Sequence, residues 1–487
     1  MSRLSLRTKF AYGVGQVGEQ IKISGFDLFV FFYFQQVVGL SGFLCGLAVA
    51  IALVFDGISD PVAGAVSDGW RSPRGRRHPF MYAAALPLAL FWYGLFFPPE
   101  GLGQLGLFLW LTTFAILVRG SMTLYHVPHI AMGAELSDDY VERTSIVAWR
   151  VTSGVIGAVL ISAVALALFF PSTPEYENGL LDPAGYPKLA FFSALVMATT
   201  IWYSSWGTRD QIPNLPQAPP DASRASVREI LATVWRGYRA AMGLVSFRAV
   251  FGGAVCFTVA YGVSQTLQTH LYVFFWELSP EQQALLRLVL LPGFFLGIVS
   301  TRWAHGRFDK KPVAVAGQIG ILLAFQSPIV LRLLGWLPPN GDVMLLPIVG
   351  VFLLGGSVAA GLAITTSSSM MADVTQHFEM ETGRAQQGVL FSAIALAQKI
   401  GSAAGHIVAG IGIDLISFPT HSTDPGSIEP ALIARLGMLS LSAIVVSLGG
   451  VYAYTRYDLT RAHHDRALAA LRGRRSEPAA EEASPAR

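Results

Sequence analysis

Apolar runs about as long as a bilayer is thick recur along nearly the whole chain. A helix needs about 20 such residues to cross the hydrocarbon core. Twelve stretches qualify: 11–37, 41–67, 79–98, 105–134, 144–170, 188–207, 248–275, 283–303, 312–334, 343–371, 386–416 and 430–455. Several exceed the minimum, which predicts tilt or extension past the bilayer. The expected class is therefore all-α, a polytopic membrane protein of twelve transmembrane helices.

The polar connections give this series an order. The longest, 208–247, divides the helices six and six, the plan of transporters built from two related halves. The expected organisation is a six-helix bundle over 1–207, a linker over 208–247, a second six-helix bundle over 248–456 and a polar, disordered tail over 457–487. Within the linker, VREILATVWRGYRAAMG sets Val227, Ile230, Leu231, Val234 and Trp235 against Arg228, Arg236 and Arg239. That pattern predicts an amphipathic helix lying on a membrane surface.

Charge then sets an orientation. Arg71, Arg74, Arg76 and Arg77 follow the second segment, five arginines follow the sixth, and Arg302, Arg307, Lys310 and Lys311 follow the eighth. The loop over 171–187 carries Glu175, Glu177 and Asp182 and no basic residue. The positive-inside rule puts the basic loops and both termini in the cytoplasm, with the plasma membrane as the expected location. The start of the chain reads as a cytoplasmic tail entering a retained helix. Composition agrees with the class: 53% of residues are hydrophobic and 13% charged, against about 25% charged in soluble domains. Cys45 and Cys256 sit in separate apolar runs and imply no disulfide. GVGQVG at 13–18 has the spacing of a dinucleotide loop, but it opens a membrane helix and no strand precedes it.

Ionisable residues at bilayer depth are costly, so each needs a reason. In FDGISDPVAG, Asp56 and Asp60 are four residues apart on one helix face. Two carboxylates this close repel unless one is protonated or a cation lies between them. A hard cation such as Na+ wants oxygen ligands, and Ser59 adds a hydroxyl nearby. The bland reading is a structural pair bridged to a basic residue on another helix. The fourth segment sets Thr123, His126 and His129 at helical spacing beside Pro128. The eleventh carries Lys399 among Gly401, Ser402, Ala403, Ala404 and Gly405, where a carboxylate or anionic partner is expected. Glu19 and Lys22 are spaced to pair with each other. The run Glu135, Asp138, Asp139, Glu142 and Arg143 reads as a packing or gating network. Arg150 is placed at the start of the fifth helix, within reach of the surface.

These motifs resemble the glycoside–pentoside–hexuronide:cation symporters, a branch of the major facilitator superfamily. The resemblance rests on KFAYGVGQVGE, FDGISDPVAGAVSD with RSPRGRRHPF, HVPHIAMGAEL with DDYVERT, MMADVTQHFEMETG, and Lys399 in its Lys-Ile-Gly-Ser setting. It implies the major facilitator fold and cation-coupled transport, with Asp56, Asp60, Ser59 and Thr123 as the cation site. It also implies that Gln20, His126, Arg150 and Lys399 face the solute. The family's sugar sites use carboxylates where this chain has Gln20 and His126. Two solutes therefore stay open: a sugar or glycoside, and an amphipath such as a lysolipid. Na+ is the expected coupling ion, and a proton could replace it. No other cofactor, nucleic acid or obligate protein partner is expected, only the solute, the ion and membrane lipid. Two other classes compete: a transporter-like sensor, and a polytopic membrane enzyme. The enzyme would need a reactive cluster that the isolated His305, His463 and His464 do not make.

Overall fold

A computed structural model describes residues 4–216, 227–382 and 387–459. Its architecture is all-α. The first rod is α1 (Leu6–Gly25), which continues through π-helical turns at Phe26–Val30 and Tyr33–Val37. It is followed by α2 (Gly42–Asp68), α3 (His78–Leu95), α4 (Gln104–Glu135), α5 (Tyr140–Phe169) and α6 (Gly185–Gly207). A short amphipathic helix, α7 (Val227–Ala241), comes next. The remaining helices are α8 (Val245–His270, with a π turn to Phe275), α9 (Pro280–Arg307), α10 (Lys310–Leu333), α11 (Leu345–Thr382), α12 (Gln387–Leu415), α13 (Pro430–Ser440) and α14 (Ser442–Thr455). Among the described residues, ten helices are long and apolar enough to cross a membrane, counting α13 and α14 as one span. The first rod, with Lys9, Glu19 and Lys22 along it, and α3, 18 residues long, complete twelve.

The rods pack as two six-helix bundles. In the first, α1 lies on α5 and α6, α3 on α4 and α6, and α2 on α4. In the second, α8 lies on α12 and α14, and α11 on α9 and α10. The bundles meet along α2 with α12 and α5 with α9. Local details depart from the sequence reading. The tenth segment was expected over 343–371, but α11 runs on to Thr382 because polar residues extend the helix beyond its apolar part. The twelfth breaks at Leu441. The fifth starts at Tyr140, capped by Asp139, whose Oδ1 accepts from the Glu142 amide at 2.8 Å. Arg150 therefore lies nearly three turns inside α5, not at its start.

The two bundles repeat a corner. Gly39 (φ 82°) and Glu277 (φ 47°) both adopt left-handed backbone, each two residues before a serine. Ser41 and Ser279 then cap the following helices, accepting from the amides of Leu44 and Gln282. Leu40 N donates to Phe34 O and Leu278 N donates to Tyr272 O, both at 2.8 Å. In the sequence the repeat shows only as a shared Leu-Ser pair, at 40–41 and 278–279, too short a match to stand out by itself.

Hydrogen bonds joining the bundles gather at the end away from the chain termini, called here the far end. The Asp414 carboxylate accepts from the amides of Gly42 (2.7 Å) and Phe43 (2.8 Å), capping α2 from the other bundle. Thr269 donates to Leu28 O, His421 N to Gln36 O, and Asn178 to Leu278 O. Between α2 and α12 the backbones touch directly. A Cβ on Gly410 would lie 2.1 Å from Gly42 O, and one on Gly46 would lie 2.4 Å from His406 O. Small residues at such crossings let membrane helices approach closely.

Candidate functional site

Midway along α2, just before the internal Pro61, the two aspartates face α4 and α12. Asp56 is buried and Asp60 half-buried. Thr123 Oγ1 lies 3.0 Å from Asp56 Oδ1 and 3.0 Å from Asp60 Oδ1. Ser59 Oγ is 3.3 Å from Thr123 Oγ1 and also donates to Asp56 O at 3.3 Å. Four oxygen-bearing side chains thus converge on one spot. Lys399, reaching from α12, sets its Nζ 2.5 Å from Asp60 Oδ2 and 3.2 Å from Asp56 Oδ2. The ammonium bridges the pair and ties the two bundles together at mid-depth.

A second cation touches the pair. Arg119 of α4 is 6% exposed, and its Nη1 lies 3.3 Å from Asp56 Oδ2. Its guanidinium carbon sits 4.7 Å from the centre of the Phe26 ring, a cation–π geometry. The sequence reading missed this residue. Arg119 is four residues before Thr123 and so shares its face, and it is an intramembrane charge in its own right; either signal would have found it.

The remaining predicted residues lie around this core. Lys22 Nζ pairs with Glu19 Oε1 at 3.0 Å, as the spacing indicated. Arg150 Nη1 donates to Gln16 Oε1 at 3.0 Å. Gln20 packs on the same α1–α5 face, with its Cγ 3.1 Å from where a Cβ on Gly154 would stand. His126 is partly buried, and its Nδ1 has no hydrogen-bond partner. Of Gln20, His126, Arg150 and Lys399, Lys399 alone contacts the aspartates. His129 is a core residue: its Nε2 lies 2.9 Å from Tyr12 O and its ring stacks on Tyr12 and Tyr125.

The loop network holds together as packing. Glu135 accepts from Arg76 at 2.6 Å and from Arg77 at 2.7 Å, and Glu142 pairs with Lys9 at 3.0 Å. A cavity of about 350 Å³ lies within the second bundle, not between the bundles. Its wall is mainly apolar, including Phe257, Phe325 and Trp276, with Tyr261 and Gln265 among its polar residues. Tyr261 and Gln265 also reach across to Asp27 of the first rod, at 3.2 and 3.5 Å. His305 donates to or accepts from Thr366 at 3.1 Å, while His463 and His464 lie outside the described residues.

Two six-helix bundles packed around a charged centre are the arrangement of a major facilitator transporter. The family model described as MFS/sugar transport protein matches residues 11–461. The chain belongs to that family, in its glycoside–pentoside–hexuronide symporter branch, whose members are membrane transporters and not enzymes. It is 25% identical to an uncharacterized symporter of Synechocystis sp., covering 95% of this chain and 96% of the relative. It is 22% identical to the sphingosine-1-phosphate transporter of Xenopus tropicalis, covering 97% and 92%. Among solved structures it resembles a bacterial homolog of the human lysosomal transporter Spinster in an inward-facing, unoccupied conformation. There the TM-score is 0.62 and the identity 15%, over 93% of this chain and 95% of that one.

Proposed function

We propose that the chain is a cation-coupled symporter working by alternating access, with Na+ as the coupling ion. Asp56, Asp60, Ser59 and Thr123 hold the ion; Gln20, His126, Arg150 and Lys399 face the solute. One observation carries this reading: the side chains of Asp56, Asp60, Ser59 and Thr123 converge on one spot at bilayer depth, where the Lys399 ammonium stands between the two carboxylates. The oxygen set is thus already arranged for a cation. When an ion enters, it displaces an internal competitor whose release loosens one bundle from the other. Coupling follows if the fully loaded and empty centres carry the same net charge and the half-loaded ones do not.

On the positive-inside rule the basic loops and the termini lie in the cytoplasm, which makes the far end the outer side. The unit boundaries are read as 1–207, 208–247 and 248–456. The family's description supports a sugar or glycoside as solute. A second reading, an amphipath, is favoured by the apolar cavity that opens beside Tyr261 and Gln265 and by the sphingosine-1-phosphate relative. The test is solute counterflow and gradient-driven uptake in proteoliposomes. Asp56→Asn and Asp60→Asn should each abolish Na+-driven accumulation while the protein stays folded and inserted. Undiminished Na+-driven uptake in both variants would remove the site assignment.

A further inference from the structure

The charges around the central site do not balance, and the excess is positive. Four cations line the region: Lys22, Arg119, Arg150 and Lys399. Three carboxylates face them: Glu19, Asp56 and Asp60. Lys22 is matched by Glu19, and Arg119 and Lys399 share the aspartates. Arg150 rests on an uncharged amide. Asp27 and Arg287, nearer the far end, add one charge of each sign and leave the difference unchanged. A coupling cation bound at Asp56 and Asp60 raises the excess by one more. Lys22 and Arg119 are buried and Arg150 and Lys399 partly so; charge held out of water without a partner is unfavourable, so a loaded centre of this composition calls for a negative group.

Arg119 gives that demand a location. A guanidinium keeps its charge at any accessible pH and presents donors in a planar fork suited to carboxylate, sulfonate or phosphate. Only part of the fork is in use. Nη1 donates to Asp56, while the buried Nε has no acceptor. The His126 Nδ1 is likewise buried without a partner. When an ion takes over Asp56, Arg119 and Lys399 lose their shared acceptor together. Both then become free to bind an anion at the same place where the cation is held.

Resting on the cation-site reading above, we propose that the transported solute carries an anionic group, and that Arg119 sets this preference. One positive ion would then move with one negative group. A neutral sugar would leave the arginine and lysine unpaired, whereas an acidic sugar or a phosphate-bearing amphipath would satisfy both.

The test uses full-length protein in nanodiscs at saturating NaCl, with two matched probe pairs. One pair is glucuronate and methyl glucoside; the other is lysophosphatidate and a monoacylglycerol of the same chain. In at least one pair the anionic member should bind about tenfold or more tighter than its neutral counterpart, the scale of a charge-assisted hydrogen bond. The pair that responds tells the sugar source from the lipid source. Arg119→Gln should shrink the gap to about threefold or less, while Arg119→Lys keeps most of it. If Arg119→Gln alone does not fold, the double variant with Asp56→Asn restores local charge balance and is compared with Asp56→Asn alone: the single variant, whose Arg119 and Lys399 have lost the same acceptor, should keep the gap and the double variant should lose it. Equal binding of neutral and anionic members, no anionic binding in either pair, or an unchanged gap without Arg119 would each overturn the proposal. The Na+ response of the wild type, measured without solute, reports separately on the coupling reading.

Discussion

Replacing Lys399 by methionine tests the central idea most directly, because it removes a charge while nearly keeping the volume and reach of the side chain. The Lys399 ammonium lies 2.5 Å from Asp60 and 3.2 Å from Asp56. Breaking a fully buried pair costs about 3–5 kcal/mol. The Lys399 and Asp60 side chains are 23% and 35% exposed, so solvent screening reduces this to about 1–3 kcal/mol. Arg119 remains beside Asp56 and holds the loss toward the lower end. The cation-free variant should therefore unfold at lower temperature than wild type. A bound Na+ takes the vacated place and no longer competes with an internal ammonium. Its apparent affinity should rise by about 5–30-fold, the equivalent of 1–2 kcal/mol. The assay is thermal unfolding of the purified protein across a NaCl titration, with ionic strength held constant by choline chloride. Stabilisation follows the ratio of ligand to dissociation constant, so the Na+ curve should shift to lower concentration and reach a larger total rise. An unchanged half-saturation in a folded Lys399→Met protein would refute the competition. So would complete loss of the Na+ response.

Four further outcomes follow from the geometry. Asp414→Asn weakens two charge-assisted bonds to the first amides of α2, which should cost far-end closure about 1–2 kcal/mol; spin-label distances across that end should then show a larger open fraction. Single cysteines at Gln211 and at Gly101, in a background lacking Cys45 and Cys256, should differ in intact cells: an impermeant thiol reagent labels Gly101→Cys and leaves Gln211→Cys unmodified. His126→Ala and Gln20→Ala should each lower solute affinity about tenfold to a hundredfold by calorimetry, and wild-type affinity in both would put the solute elsewhere. The Glu177 carboxyl is held above its ordinary value by a hydrogen bond to Asp424 of the other bundle. Protonation therefore favours the closed far end: the gain is absent at neutral pH and grows as pH falls through that raised value. Glu177→Gln should flatten this pH dependence in the same distance measurements.

Much of the fold could be read from the chain because lipid imposes a simple rule. Apolar segments of bilayer length must become helices, since no water is present to satisfy their backbone groups. The aspartate pair was legible for a similar reason: two carboxylates at i and i+4 in an apolar helix have few innocent explanations. The partner of that pair was less accessible. Lys399 lies more than 300 positions away, and its bridging role depends on how α12 crosses α2. Arg119 was legible in principle, but its neighbours Ile116, Leu117 and Val118 make the segment look uniformly apolar. The π turns of the first rod could not be read at all. Asp27, Leu28, Gln35 and Gln36 there bond to the other bundle, and such contacts, rather than local propensity, support the widened helix. The cavity inside the second bundle belongs to the same category, because its wall is drawn from helices distant in sequence.

The glycine contact between α2 and α12 has a consequence for the energy of the working cycle. Closing an ordinary interface immobilises side chains, at about 0.5–1.5 kcal/mol for each long one. Gly42, Gly46 and Gly410 bring no side chain of their own to this surface, so backbone meets backbone at these crossings and few rotamers are frozen or released there. The two positions of the bundles can then remain nearly equal in free energy. A device that must visit both on every turnover needs that balance, because a deep well on either side would trap it. With the glycine crossings themselves adding no side-chain ordering cost, the balance rests on the few polar contacts across α2 and α12, the Lys399 bridge above all, which are the contacts the ion and the solute can act on.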